Sequence, residues 1–84
     1  MYEVKILSWD QAKSLAEKEI EERLGGKIKS SWVESIWLTP HSEGSRWIVK
    51  LKVVMSKGFM RGESYTVSVV LNSLTGEVEE FEAR

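Results

Sequence analysis

Apolar and polar side chains alternate along most of the chain, and one segment near the N-terminus departs from this rule. In residues 1–7 the alternation places Tyr2, Val4 and Ile6 on one side of the backbone, which predicts a short first strand. From residue 28 onward the alternation returns, and it predicts four further strands. These strands cover 28–39, 45–55, 63–72 and 76–83.

The segment between the first two predicted strands has the spacing of a helix. Ser8 and Gln11 stand three residues apart, as in a capping box, and Gly25-Gly26 tolerates the left-handed geometry of a helix end. Between these ends the apolar residues recur every three or four positions and form one stripe. The stripe consists of Ala12, Leu15, Ala16, Ile20 and Leu24.

Short connections that contain glycine join the last four strands, which favours antiparallel hairpins. Val78 and Phe81 in the last strand are three residues apart, which predicts a bulge or a strand end. We therefore predict a single α+β domain over 1–84, with the order β-α-β-β-β-β. In this domain one helix packs on one face of a curled antiparallel sheet.

The alternation also assigns the tryptophans to faces of the sheet. Trp32 and Trp47 are expected to pack under the helix, whereas Val33 and Trp37 fall on the opposite face from Trp32. If the helix covers one face only, an apolar patch is left on the other. The patch predicted there consists of Val33, Trp37, Ile48, Val54 and Val70.

Three segments carry a resemblance to known families: the helix "DQAKSLAEKEI", the strand "WIVKLKVV" and the closing hairpin "YTVSVVLNSLTGEVEEF". With the element order, they resemble the cystatin-like fold and, more specifically, the PepSY-type domains. That resemblance implies a protease-regulating role, although the first hairpin turn "TPHSEGS" differs from the Q-x-V-x-G motif of cystatin inhibitors. A weaker similarity, through "RWIVKLKVV" and "YTVSVVL", runs to the gas-vesicle accessory proteins.

Composition narrows the classes of function. The 84 residues include four tryptophans and no cysteine, so thiol catalysis, thiolate metal sites and disulfides are excluded. No apolar run approaches the roughly 18 residues of a membrane helix, and the N-terminal segment lacks the features of a signal peptide. We therefore expect a cytoplasmic protein with no membrane partner. The high share of charged residues, 30%, is typical of thermophile proteins.

Few residues suit catalysis or metal binding. His41, the only histidine, stands in a predicted turn beside Ser42 and Glu43, where an exposed turn residue is the simpler interpretation. The glutamates of the last strand suit an edge that resists aggregation, or cross-strand pairs with Lys50 and Lys52. We expect no enzyme activity, no metal and no cofactor.

The expected function is therefore binding of a protein partner, including a second copy of the chain as a homodimer, through the apolar patch. Phe59 and Met60 lie in the turn between the third and fourth strands. They either cap the core of their own domain or extend the patch toward a partner.

An alternative is a nucleic-acid-binding module. The stretch from Gly44 to Gly62 contains five basic residues and no acidic residue. An aromatic side chain such as Trp37 beside these cations would suit the binding of single-stranded nucleic acid. The basic residues are Arg46, Lys50, Lys52, Lys57 and Arg61. Against this alternative, the net charge of the chain is −1.

Overall fold

The computed structural model describes residues 6–40, 44–56 and 62–84, which form one helix and a four-stranded antiparallel sheet. The elements are α1 (Trp9–Leu24), β1 (Lys27–Thr39), β2 (Arg46–Ser56), β3 (Glu63–Asn72) and β4 (Val78–Ala83). The strands lie in chain order, β1-β2-β3-β4, and the predicted α+β class is confirmed. The predicted first strand falls mainly on residues outside the described ranges, and its last two residues, Ile6 and Leu7, are not in a strand.

The ends of α1 follow the predicted capping chemistry. The Ser8 hydroxyl accepts a hydrogen bond from the Gln11 backbone N–H at 3.2 Å, and the Gln11 side chain accepts one from the Ser8 N–H at 2.9 Å. At the other end Gly25 takes the left-handed conformation, with φ of 66°, and donates to the Glu21 carbonyl. No helix in the described part of the chain is long and apolar enough to cross a membrane.

The core lies between α1 and one face of the sheet. Two alanines and Ile20 on the helix are fully buried, because alanine lets the helix backbone approach the strands closely. They meet alternate residues of the two central strands, as the period of two predicts. The buried apolar residues are Ala12, Ala16, Ile20, Val49, Leu51, Val53, Met55, Val67, Val69 and Leu71.

Hydrogen bonds join the segment before α1 to the sheet. The Trp47 indole N–H donates to the Leu7 carbonyl at 2.8 Å, and the Leu7 N–H donates to the Ser73 carbonyl at 2.8 Å. The Ser73 side chain is fully buried, and its hydroxyl lies 2.7 Å from that of Ser45. The prediction that Trp47 packs on the helix-covered face is confirmed, and its one polar atom is satisfied there.

The β3–β4 turn meets the helix closely at Gly76. The backbone there has φ of 76°, a region that side chains with a Cβ rarely adopt. A Cβ at this position would lie 2.7 Å from Leu15 Cδ1 and 3.3 Å from Leu7 Cδ1. Glycine is therefore favoured here by the turn, and a Cβ would also force the ends of the Leu15 and Leu7 side chains to shift.

Gly76→Ala should destabilise the domain more than Gly25→Ala. Both positions carry a positive φ, which costs an alanine roughly 1–2 kcal/mol. Nothing lies within 4 Å of a Cβ added at Gly25, so only Gly76→Ala adds steric overlap, which the ends of the Leu15 and Leu7 side chains must shift to relieve. Urea unfolding followed by circular dichroism measures the difference. Equal losses for the two variants would contradict the close contact with Leu15.

Candidate functional site

Two irregularities in β1 decide which of its residues face away from the helix. The register against β2 shifts between Ile28 and Ser30 and again between Val33 and Ser35. Each shift leaves one β1 residue, Lys29 and then Glu34, without a partner in β2. A bulge of this kind moves every following side chain to the other face relative to strict alternation.

The bulges reverse two predicted assignments. Val33 pairs with the buried Leu51 and packs against the core, so the prediction that it belongs to the exposed patch is wrong. Trp32 pairs with Lys52 on the outer face and is 49% exposed, so the prediction that it packs under the helix is also wrong. The Ser31 hydroxyl donates to Glu17 of α1 at 2.6 Å, which independently places residue 31 on the helix side.

The face opposite the helix, called the outer face below, carries an apolar row across three strands. Trp37 of β1 pairs with Ile48 of β2, which pairs with Val70 of β3. Directly paired residues project from the same face of a sheet, so the three side chains are neighbours. Trp37 is 43% exposed. Val54 lies on the same face but six residues along β2 from Ile48, about 20 Å away at roughly 3.4 Å per residue, so it is not a neighbour of the other three.

Charged groups are separated across the outer face. On β2, Lys50 and Lys52 project outward and are exposed, as predicted. On β4, Glu80 and Glu82 pair with Val70 and Ser68 of β3 and share the face. Because β3 separates β2 from β4, the expected direct cross-strand pairs between these lysines and glutamates do not form.

An ion pair reduces the positive charge available in the predicted basic patch. The Arg46 guanidinium forms an ion pair with the carboxylate of Glu79, the unpaired residue at the register shift of β4. The predicted irregularity between Val78 and Phe81 is thereby confirmed as a bulge. Glu82 pairs with Arg84 at 2.6 Å, between two exposed side chains. Lys50 and Lys52 have no ion-pair partner within the described residues.

Several predicted residues lie outside the described ranges. They include both apolar turn residues, two of the five basic residues and the single histidine with its two neighbours. These residues are Phe59, Met60, Lys57, Arg61, His41, Ser42 and Glu43.

Trp32 is the outer-face residue that sequence reasoning missed. Strict alternation from Ile28 places Trp32, Glu34 and Ile36 on one face. A glutamate would then point into the core, where an unpaired carboxylate is very costly. Glu34 is therefore the feature of the sequence that indicates a bulge.

No protein-family model, no curated protein and no solved structure matches this chain. The outer face must therefore be interpreted from its own chemistry. It combines two exposed indoles, an aliphatic row and opposite charges on different strands.

Paired substitutions test the bulge at Glu34. Val33→Asp should lower the free energy of unfolding by at least about 2 kcal/mol more than Trp32→Asp, because only Val33 faces the core. A carboxylate at position 32 instead meets water and Lys52. Chemical denaturation at low protein concentration measures both. The reverse order would support strict alternation and would remove Trp32 from the outer face.

Proposed function

We propose that this protein is a small non-catalytic interaction domain that self-associates through the outer face of its sheet. The observation that carries the proposal is the uncovered row of Trp37, Ile48 and Val70, with Trp32 exposed on the same strand as Trp37. Aromatic side chains are enriched at protein interfaces, since they bury a large area with few rotatable bonds.

The size of the outer face suits a modest interface. Four strands spaced roughly 4.8 Å apart, each about ten residues long at roughly 3.4 Å per residue, span about 650 Å². A stable interface buries about 600–1,000 Å² per partner. A second copy of the same face would therefore supply a surface of matching size, and the chain needs no other element to complete it.

The resemblance to cystatin-like and PepSY-type domains belongs to this proposal. One helix across an antiparallel sheet of sequential hairpins is consistent with both. In such a two-layer arrangement the helix occupies one face, and the other is left for a partner. The proposal itself rests on the outer face and not on the family.

A second candidate function is binding of single-stranded nucleic acid. It is favoured by the direct pairing of Trp32 with Lys52 and by the position of Lys50 between the two exposed indoles. Cations beside aromatic platforms can hold phosphates and stack bases. Self-association is preferred, because Arg46 is already paired with Glu79, and Glu80 and Glu82 lie on the same face.

Trp37→Ser should raise the dimer dissociation constant at least tenfold, because it removes the largest apolar side chain of the row. Trp9→Ser is the matched control. Trp9 is 55% exposed at the start of α1, and its loss should leave association unchanged. Sedimentation velocity over a range of protein concentrations measures the constant for each variant.

The same samples separate the two candidate functions. A wild-type protein that stays monomeric at millimolar concentration contradicts self-association. If a labelled oligonucleotide then binds, with an affinity that falls steeply as salt is raised, nucleic-acid binding replaces it. Equal effects of Trp37→Ser and Trp9→Ser would show that association uses another surface.

A further inference from the structure

We infer that two copies of the chain pack outer face to outer face about a two-fold axis that runs parallel to the strands, between β2 and β3. This inference rests on the proposed self-association and specifies its geometry. In this arrangement β2 of one copy lies over β3 of the other, and β1 lies over β4. The two helices are then on the outside of a four-layer dimer.

The separation of charge on the outer face selects this axis. The outward charged residues of β2 are all basic, whereas β4 presents Glu80 and Glu82 beside Arg84. A face-to-face axis perpendicular to the strands would place β2 over β2 and β4 over β4, so that like charges meet. The parallel axis brings the β1–β2 half of one copy over the β3–β4 half of the other, where opposite charges meet.

The register identifies the residues that face each other. Lys50, Ser68 and Glu82 form one cross-strand row. Rotation about the parallel axis sets Lys50 over Ser68 of the second copy, one strand spacing of roughly 4.8 Å from its Glu82. A lysine side chain spans that offset. Because the operation is two-fold, the Lys50–Glu82 pair forms twice in each dimer.

The apolar row fits the same arrangement. Ile48 of each copy faces Val70 of the other and forms an aliphatic centre. Trp37 then lies over Glu80 of the second copy, next to a depression of about 310 Å³ between β3 and β4, which has room for an indole ring. The residues lining this depression are Ser68, Val70, Glu80, Phe81 and Glu82.

The neighbouring row adds one favourable and one unfavourable contact. Trp32 of one copy faces Arg84 of the other, since Arg84 pairs with Thr66 in the row that contains Lys52 and Trp32. The same rotation sets Lys52 over Thr66, one strand spacing from that Arg84, where the two cations repel each other, although Glu80 and Glu82 outnumber Arg84 on β4. A guanidinium over an indole face is a favourable contact. Arg84 already interacts with Glu82 in its own chain, but an exposed pair of this kind contributes little and can be rearranged.

Charge reversal tests the axis. Lys50→Glu places a carboxylate near Glu80 and Glu82 of the second copy and should raise the dimer dissociation constant at least tenfold. Glu82→Lys should do the same by facing Lys50. The double variant Lys50→Glu/Glu82→Lys keeps the net charge of −1 and should return the constant to within about threefold of wild type. Sedimentation velocity at low ionic strength gives all four constants.

The matched control is Lys18→Glu, which changes net charge as Lys50→Glu does but lies on the exposed side of α1. Urea unfolding of each variant checks that the fold is retained. If Trp37→Ser disrupts the dimer while neither charge reversal matters, the outer face is the interface but the axis is wrong. If the wild type shows no dimer, the proposed function itself fails. Failure of the double variant to recover association also overturns the parallel axis.

Discussion

The burial of one helix stripe against one face of the sheet is the constraint on which the rest of the structure depends. Ala12, Ala16 and Ile20 are the helix residues in full contact with the core, and the sheet supplies the opposing residues from β2 and β3. The described residues form one helix, and a single helix covers a single face of the sheet. The exposure of Trp37 on the other face, beside the half-buried Ile48, is a direct consequence of that limit.

The central part of the fold could be predicted because local and tertiary preferences agree there. Along β2 the inward residues from Trp47 to Met55 alternate without interruption with outward polar or aliphatic residues, and no bulge disturbs the pairing with β3. The helix ends were equally readable, since Ser8, Gln11 and Gly25 are the residue types that capping geometry demands. Sequence reasoning succeeded wherever the period stayed constant over a whole element.

The candidate site was harder to predict because it depends on β1. A single extra residue reverses the facing of all that follow, and the bulges at Lys29 and Glu34 compensate for each other only beyond Glu34. Trp37 was therefore placed correctly, while Trp32 and Val33, which lie between the two bulges, were exchanged. The ion pair of Arg46 with Glu79 had no local signature, because it joins strands that are not adjacent in the chain.

The chain-order arrangement of the strands has a consequence for the rate of folding. Every strand pairs with its neighbour in the sequence, through connections that span 40–45, 57–62 and 73–77. Such short loops close at a small entropic cost, so the hairpins need no long-range search to form. The exception is the contact of Leu7 with Trp47 and Ser73, which joins the segment before α1 to β2 and to the β3–β4 turn. Among these contacts the hydrogen bond of Leu7 with Ser73 thus closes the longest stretch of chain, and its loop-closure entropy is the largest.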